Sequence, residues 1–320
     1  MLRKLLLLIN FFFLFRLFGD AHILLYHRFG DPRYPTTNTS LEQLRKDFTY
    51  LKEHNYKVIP LQKLVYALKN HQPIDPKWVV ITIDDGFKSL LQALPIFKEF
   101  RYPFTLFIST KPIQNGYPDF LRWEDVKQIA QFAEIGLHSH AHPHLTDLSD
   151  EEIVKDTKKA LNLYKKHLHT QPKSYAYPYG EYNDRIKKIL HSFHFALCNQ
   201  NLGAVSTKSS IYDLDRIALV GKSNLPQALR LKYLPAQWIK PLTYPKDGIL
   251  QRVVAKIDPI YKNAKLYITG YGWRDIKVKD GLIDVKIGLK LTKRRVRVII
   301  KVKHSKINTK ILVRSRYGVK

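Results

Sequence analysis

From residue 22 to about residue 220, short apolar runs alternate with amphipathic segments. That alternation restricts the chain to repeated β-α units around a parallel sheet or barrel. Strands are expected at His22–His27, Val58–Pro60, Trp78–Ile83, Phe104–Ile108, Glu134–Leu137, Tyr175–Tyr177, Phe195–Cys198 and Arg216–Val220. Between them, Ser40-Leu41-Glu42-Gln43 and Ser149-Asp150-Glu151-Glu152 read as capping boxes that open helices. Further helices are expected near 61–70, 88–100, 123–133 and 182–193. Past Asn263 the helical period stops. Strand-like runs at Lys265–Thr269, Leu282–Leu289, Arg294–Val302 and Lys310–Arg314, punctuated by turn residues, predict a small all-β, sandwich-like domain over 263–320. The Pro-bearing stretch 236–262 reads as the linker from a catalytic domain over 22–235.

Composition permits this two-part reading, since 320 residues at 45% hydrophobic content can bury a large core and a smaller one. A disordered chain is excluded. The formal charge of +27 is uneven: residues 241–320 hold 21 Lys and Arg against 5 Asp, which is +16 of it. A field of that sign attracts an anionic membrane, an acidic envelope polymer or nucleic acid. The last rests on charge alone, because no base-stacking or groove-reading motif accompanies it. The lone Cys198 excludes an internal disulfide. Residues 1–21 place Arg3 and Lys4 before an apolar run from Leu5 to Phe15, then Gly19 and Ala21. That layout predicts export by a secretory signal, or an uncleaved N-terminal anchor, into the periplasm, envelope or exterior.

Two clusters carry chemistry. The run Val79-Val80-Ile81-Thr82-Ile83 ends in Asp84-Asp85-Gly86, which puts two carboxylates at the C-terminal mouth of a barrel, although the same tripeptide also makes an ordinary turn. Beyond the strand at Glu134–Leu137, four histidines (His138, His140, His142 and His144) fall within seven residues. A solvated histidine loop is the plain alternative. One carboxylate with two imidazoles is a ligand set that leaves positions open for water and substrate.

Ile83-Asp84-Asp85-Gly86, His138-Ser139-x-x-His142-Pro143 and Tyr177-Pro178-Tyr179-Gly180 resemble, in order, the first three motifs of the polysaccharide deacetylase, or NodB-homology, family. Leu25-Tyr26-His27, Tyr56–Ile59 and Trp123-Glu124 resemble the subgroup that deacetylates exopolysaccharides such as poly-N-acetylglucosamine. The resemblance implies a distorted (β/α) barrel and hydrolysis of acetyl groups from an N-acetylated polysaccharide. It further implies Asp84 as general base, with Asp85, His138 and His142 as ligands of a divalent metal, zinc first and cobalt or nickel next. The main-chain N–H of Tyr179 is implied as an oxyanion donor.

Two departures stand out. Where the family's third motif often begins with an arginine that orients the base, this chain has Ala176. The Leu-x-His motif that supplies the general acid is not recognisable, since no histidine follows residue 200 until His304. His27, at the end of the first strand, is the candidate to line the pocket and donate that proton. An O-acetyl esterase, or a glycan-binding protein that keeps the metal site without turnover, are the competing readings. In the basic domain, Val296, Val298, Ile300 and Val302 alternate with Arg295, Arg297, Lys301 and Lys303, so one face is expected to pack and the other to stay cationic.

Overall fold

The computed structural model describes residues 19–221 and 223–317. Most of the expected export segment, residues 1–18, lies outside them. Among the described residues no helix is long and apolar enough to cross a membrane.

Eight parallel strands form the first sheet. Its path runs Ile217–Ala218, His22–Tyr26, Trp78–Ile83, Thr105–Ile108, Glu134–Leu137, Ser174–Ala176, Ala196–Cys198, with Lys57–Val58 also paired to Trp78–Ile83. The two ends approach each other. Cys198 bridges Leu214 in parallel, and the amides of Asn199 and Arg216 donate to Leu214 O and Asn201 O, so the segment leading into Ile217–Ala218 joins the last strand to the first. The result is the distorted (β/α) barrel.

Sequence explains why these strands are central. Val79 to Ile83 are apolar apart from Thr82, with no alternation, and all five are fully buried, as expected where helices or barrel interior cover both faces. Thr82 satisfies its hydroxyl by donating to Leu24 O at 2.8 Å. The helices Leu41–Glu53 and Asp150–Leu168 start where the capping signals fall, with Ser40 Oγ and Ser149 Oγ accepting from the amides of Gln43 and Glu152. Leu44, Phe48 and Leu51 of the first of them face the barrel core with Phe97 and Phe104.

The C-terminal part is all-β, in two sheets. One has five strands in the order Lys232–Tyr233, Lys306–Val313, Arg295–Lys301, Asn263–Ile268, Gly272–Lys277; the other pairs Gln237–Lys240, Ile249–Lys256 and Leu282–Lys290. Leu250, Val253, Ala255 and Ile283 from the smaller sheet share one core with Leu266, Val296, Val298 and Ile300 from the larger.

Two expectations change here. The stretch 236–262 is not a bare linker: it carries two strands, because Leu250, Val253 and Ala255 bury one face while Pro241 and Pro245 are confined to the connection between them. The supposed cationic face of Arg295–Lys301 is also not free. Ile299 is buried, and Arg295 and Arg297 donate to groups of the barrel, Gln200 Oε1 at 3.3 Å and Gln200 O at 3.5 Å. Carbonyl acceptors on the barrel draw those guanidinium groups out of water, and burial lowers the pKa of both.

Candidate active site

Asp84 and Asp85 leave the Trp78–Ile83 strand at the mouth, as the tripeptide suggests. Asp85 and Gly86 both adopt left-handed backbone, with φ 76° and 83°. Glycine takes that conformation freely, so Gly86 lets the chain turn away sharply while both carboxylates stay behind. His138 follows Glu134–Leu137, two strands along the sheet, its amide held by Ile108 O at 2.8 Å. A tight turn then brings the second imidazole back: His142 N donates to Ser139 Oγ at 2.8 Å. Asp156, on the buried face of the Asp150–Leu168 helix, accepts from the amides of His140 and Ala141 at 2.7 and 3.1 Å and fixes that turn from below.

Asp85 Oδ1 stands 3.2 Å from His138 Nε2 and 3.3 Å from His142 Nε2, and the two imidazole nitrogens are 3.2 Å apart. These three atoms form the one possible metal-ligand group among the described residues. The triangle fits a small divalent ion, because nitrogen and oxygen ligands about 2.0–2.1 Å from a tetrahedral centre stand roughly 3.3 Å from one another. His138 Nδ1 lies 2.8 Å from Ala176 O, so the outer nitrogen carries the proton and Nε2 keeps its lone pair for the centre. Burial would push the Asp85 carboxyl up, but the imidazoles of His138 and His142 beside it hold it well below the usual carboxylate range.

Asp84 does not join that triangle directly; its Oδ2 is 3.9 Å from His138 Nε2. It is fully buried and gripped by Arg216, whose Nη1 and Nη2 donate to its two oxygens at 2.7 and 2.8 Å. Arg216 is 1% exposed, and its Nε donates to Asn199 O at 2.7 Å. Burial alone would raise the Asp84 carboxyl, yet the Arg216 guanidinium, with His138 next, holds it below its ordinary value. The arginine missing at Ala176 therefore has a counterpart immediately before the Ile217–Ala218 strand. The sequence signal was a charged residue set between Leu214 and Ile217 at a strand start, with nothing to say which carboxylate it would meet.

The other candidates divide. His27 lies in the field of Asp85 and Asp84, and burial outweighs that field and lowers its pKa. Its Nδ1 is buried with no hydrogen-bond partner among the described residues. Tyr179 sits in left-handed backbone at φ 59°, its ring edge-on to His142 with centroids 4.4 Å apart. His140 turns elsewhere, its Nδ1 2.9 Å from Thr110 Oγ1. His144 stacks on the Tyr179 ring at 4.1 Å and pairs with Glu181 at 2.8 Å.

Residues 71–197 match the family model described as polysaccharide deacetylase. That segment belongs to the polysaccharide deacetylase family. Among curated relatives, the poly-beta-1,6-N-acetyl-D-glucosamine N-deacetylase of Escherichia coli (strain K12) is 22% identical over 290 residues, covering 74% of this chain and 42% of the relative. The chain thus spans less than half the length of that protein. The enzyme of the same name from Staphylococcus aureus (strain MSSA476) is 27% identical over 200 residues, covering 57% of this chain and 68% of the relative. Two solved structures share the fold. The Streptococcus pyogenes deacetylase PplD has a TM-score of 0.61 at 22% identity, covering 66% of this chain and 97% of that one. IcaB from Ammonifex degensii has a TM-score of 0.59 at 22% identity, covering 66% and 96%.

Proposed function

We propose that the chain is a metal-dependent N-deacetylase of a polymer of N-acetylglucosamine, acting after export from the cytoplasm. The observation that carries this reading is the adjacency of two differently held carboxylates: Asp85 in the imidazole triangle and Asp84 clamped beside it by Arg216. The substrate class follows the names of the polysaccharide deacetylases similar to this chain.

Asp85, His138 and His142 would hold the ion, zinc by its preference for this nitrogen-rich set, with cobalt or nickel as substitutes. Bound there, a divalent ion supplies Lewis-acid polarisation of the acetyl carbonyl and a more acidic water. Asp84 accepts the proton of the attacking water, because Arg216 keeps it ionised and fixes its orientation. The main-chain N–H of Tyr179, on a left-handed turn whose ring packs against His142, would donate to the developing oxyanion. His27, whose Nδ1 is buried with no hydrogen-bond partner among the described residues, would relay the proton taken up by Asp84 to the leaving amine.

The Ala176 departure and the missing Leu-x-His acid together motivated a binding protein without turnover, and Arg216 answers the first of these by giving Asp84 an arginine partner. An O-acetyl esterase would use the same residues. Acetate release from N-acetylglucosamine oligomers, compared with release from acetylated xylan, separates the two: the first should exceed the second, and the reverse order would favour the esterase.

A further inference from the structure

The C-terminal sandwich touches the site at two loops. Arg294, at the start of its Arg295–Lys301 strand, donates through Nη2 to Thr146 Oγ1 at 2.9 Å, pairs through Nη1 with Asp147 at 3.0 Å and through Nε with Glu181 at 3.2 Å. One guanidinium thus joins the turn that follows His142 to the loop that holds Tyr179. Arg295 donates to the main-chain carbonyl of Tyr179, and Ser315 and Arg316 add hydrogen bonds to Thr146 O and Asp147.

We infer that the sandwich is a working part of the site, with Arg294 and Arg295 as positioning residues that hold the Tyr179 loop against His142. Three features make the hold consequential. Glu181 is 3% exposed, and a buried carboxylate is tolerated only when paired; its partners are Arg294 and His144. Tyr179 is 40% exposed and sits in backbone that non-glycine residues avoid, so its conformation must be fixed by surroundings. Those surroundings are His144 on its ring and Arg295 on its carbonyl. The path from the sandwich to the imidazole triangle is then Arg294, Glu181, His144, Tyr179, His142, each in contact with the next. A domain that served only as a tether would need none of these contacts.

The inference rests on the deacetylase reading for its catalytic consequence, and its structural half stands without it. The test uses the full chain with Arg294→Ala, Arg295→Ala and Arg295→Lys, read by amide hydrogen exchange and by steady-state acetate release. The amides of Gly180 and Glu181, bonded to Tyr177 O and Pro178 O in the wild type, should exchange roughly tenfold faster in both alanine variants while the barrel strands keep their protection. In the same variants kcat should fall roughly tenfold or more with KM nearly constant and zinc content unchanged, because only transition-state contacts are lost. Arg295→Lys, which can still donate to the Tyr179 carbonyl, should restore most of both. Unchanged exchange at Gly180 and Glu181 would overturn the inference, as would a loosened loop with undiminished kcat. Absence of acetate release from the zinc-loaded wild type would instead count against the deacetylase reading, and loop exchange would still decide whether the sandwich holds the loop.

Discussion

Arg216 and Asp84 form a two-pronged ion pair in the barrel interior, at 2.7 and 2.8 Å, between residues that are 1% and 0% exposed. A buried carboxylate without its partner is costly, because neither water nor another cation replaces the lost contacts.

Arg216→Met should therefore destabilise the fold by about 3–5 kcal/mol in chemical denaturation. It should also abolish turnover, because burial then raises the Asp84 carboxyl and protonates the base near neutral pH. Full activity in a folded Arg216→Met protein would show that Asp84 needs no such partner.

Replacing any corner of the imidazole triangle should release the metal. Asp85→Ala, His138→Ala and His142→Ala each leave two protein ligands, and metal analysis of the purified variants should find little bound zinc. Stoichiometric zinc in the Asp85→Ala and His138→Ala proteins would move the site elsewhere.

His27 and His140 offer an internal comparison. His27→Ala should lower turnover well below that of His140→Ala, since His140 is engaged with Thr110 and turned from the triangle. Equal, mild losses in the two variants would remove the proton-donor role of His27.

A pH dependence of stability follows from Asp215. Burial, reinforced by the Asp213 carboxylate, pushes its carboxyl from the ordinary 3.8 up to about 8. The folded chain then binds a proton that the unfolded chain releases, so stability should fall as pH rises from about 4 to about 8. Asp215→Asn should flatten that slope in denaturation series across the window. An unchanged slope would assign the dependence to other groups.

The parts legible in the sequence are the local ones. Asp84, Asp85 and Gly86 are consecutive, and His138 and His142 share one short turn, so their proximity needed no knowledge of the fold. The barrel strands were equally plain, because runs such as Val79 to Ile83 are apolar apart from Thr82. What stayed hidden depends on distant meetings: Arg216 reaches Asp84 across 132 residues, and Arg294 reaches Glu181 across 113. In the Arg295–Lys301 strand the alternation correctly gave Val296, Val298 and Ile300 to the core. It could not reveal that Arg295 and Arg297 of the opposite row meet the barrel's carbonyls. The strands at Gln237–Lys240 and Ile249–Lys256 were masked by the prolines between them.

The most direct test of the central claim is acetate release from a β-1,6-linked N-acetylglucosamine oligomer by the full chain, stripped of metal and reloaded with zinc. Release should appear only after reloading, and Asp84→Asn should bind zinc fully while releasing almost none. No release from a wild-type chain carrying stoichiometric zinc, or equal release from Asp84→Asn, would contradict the account.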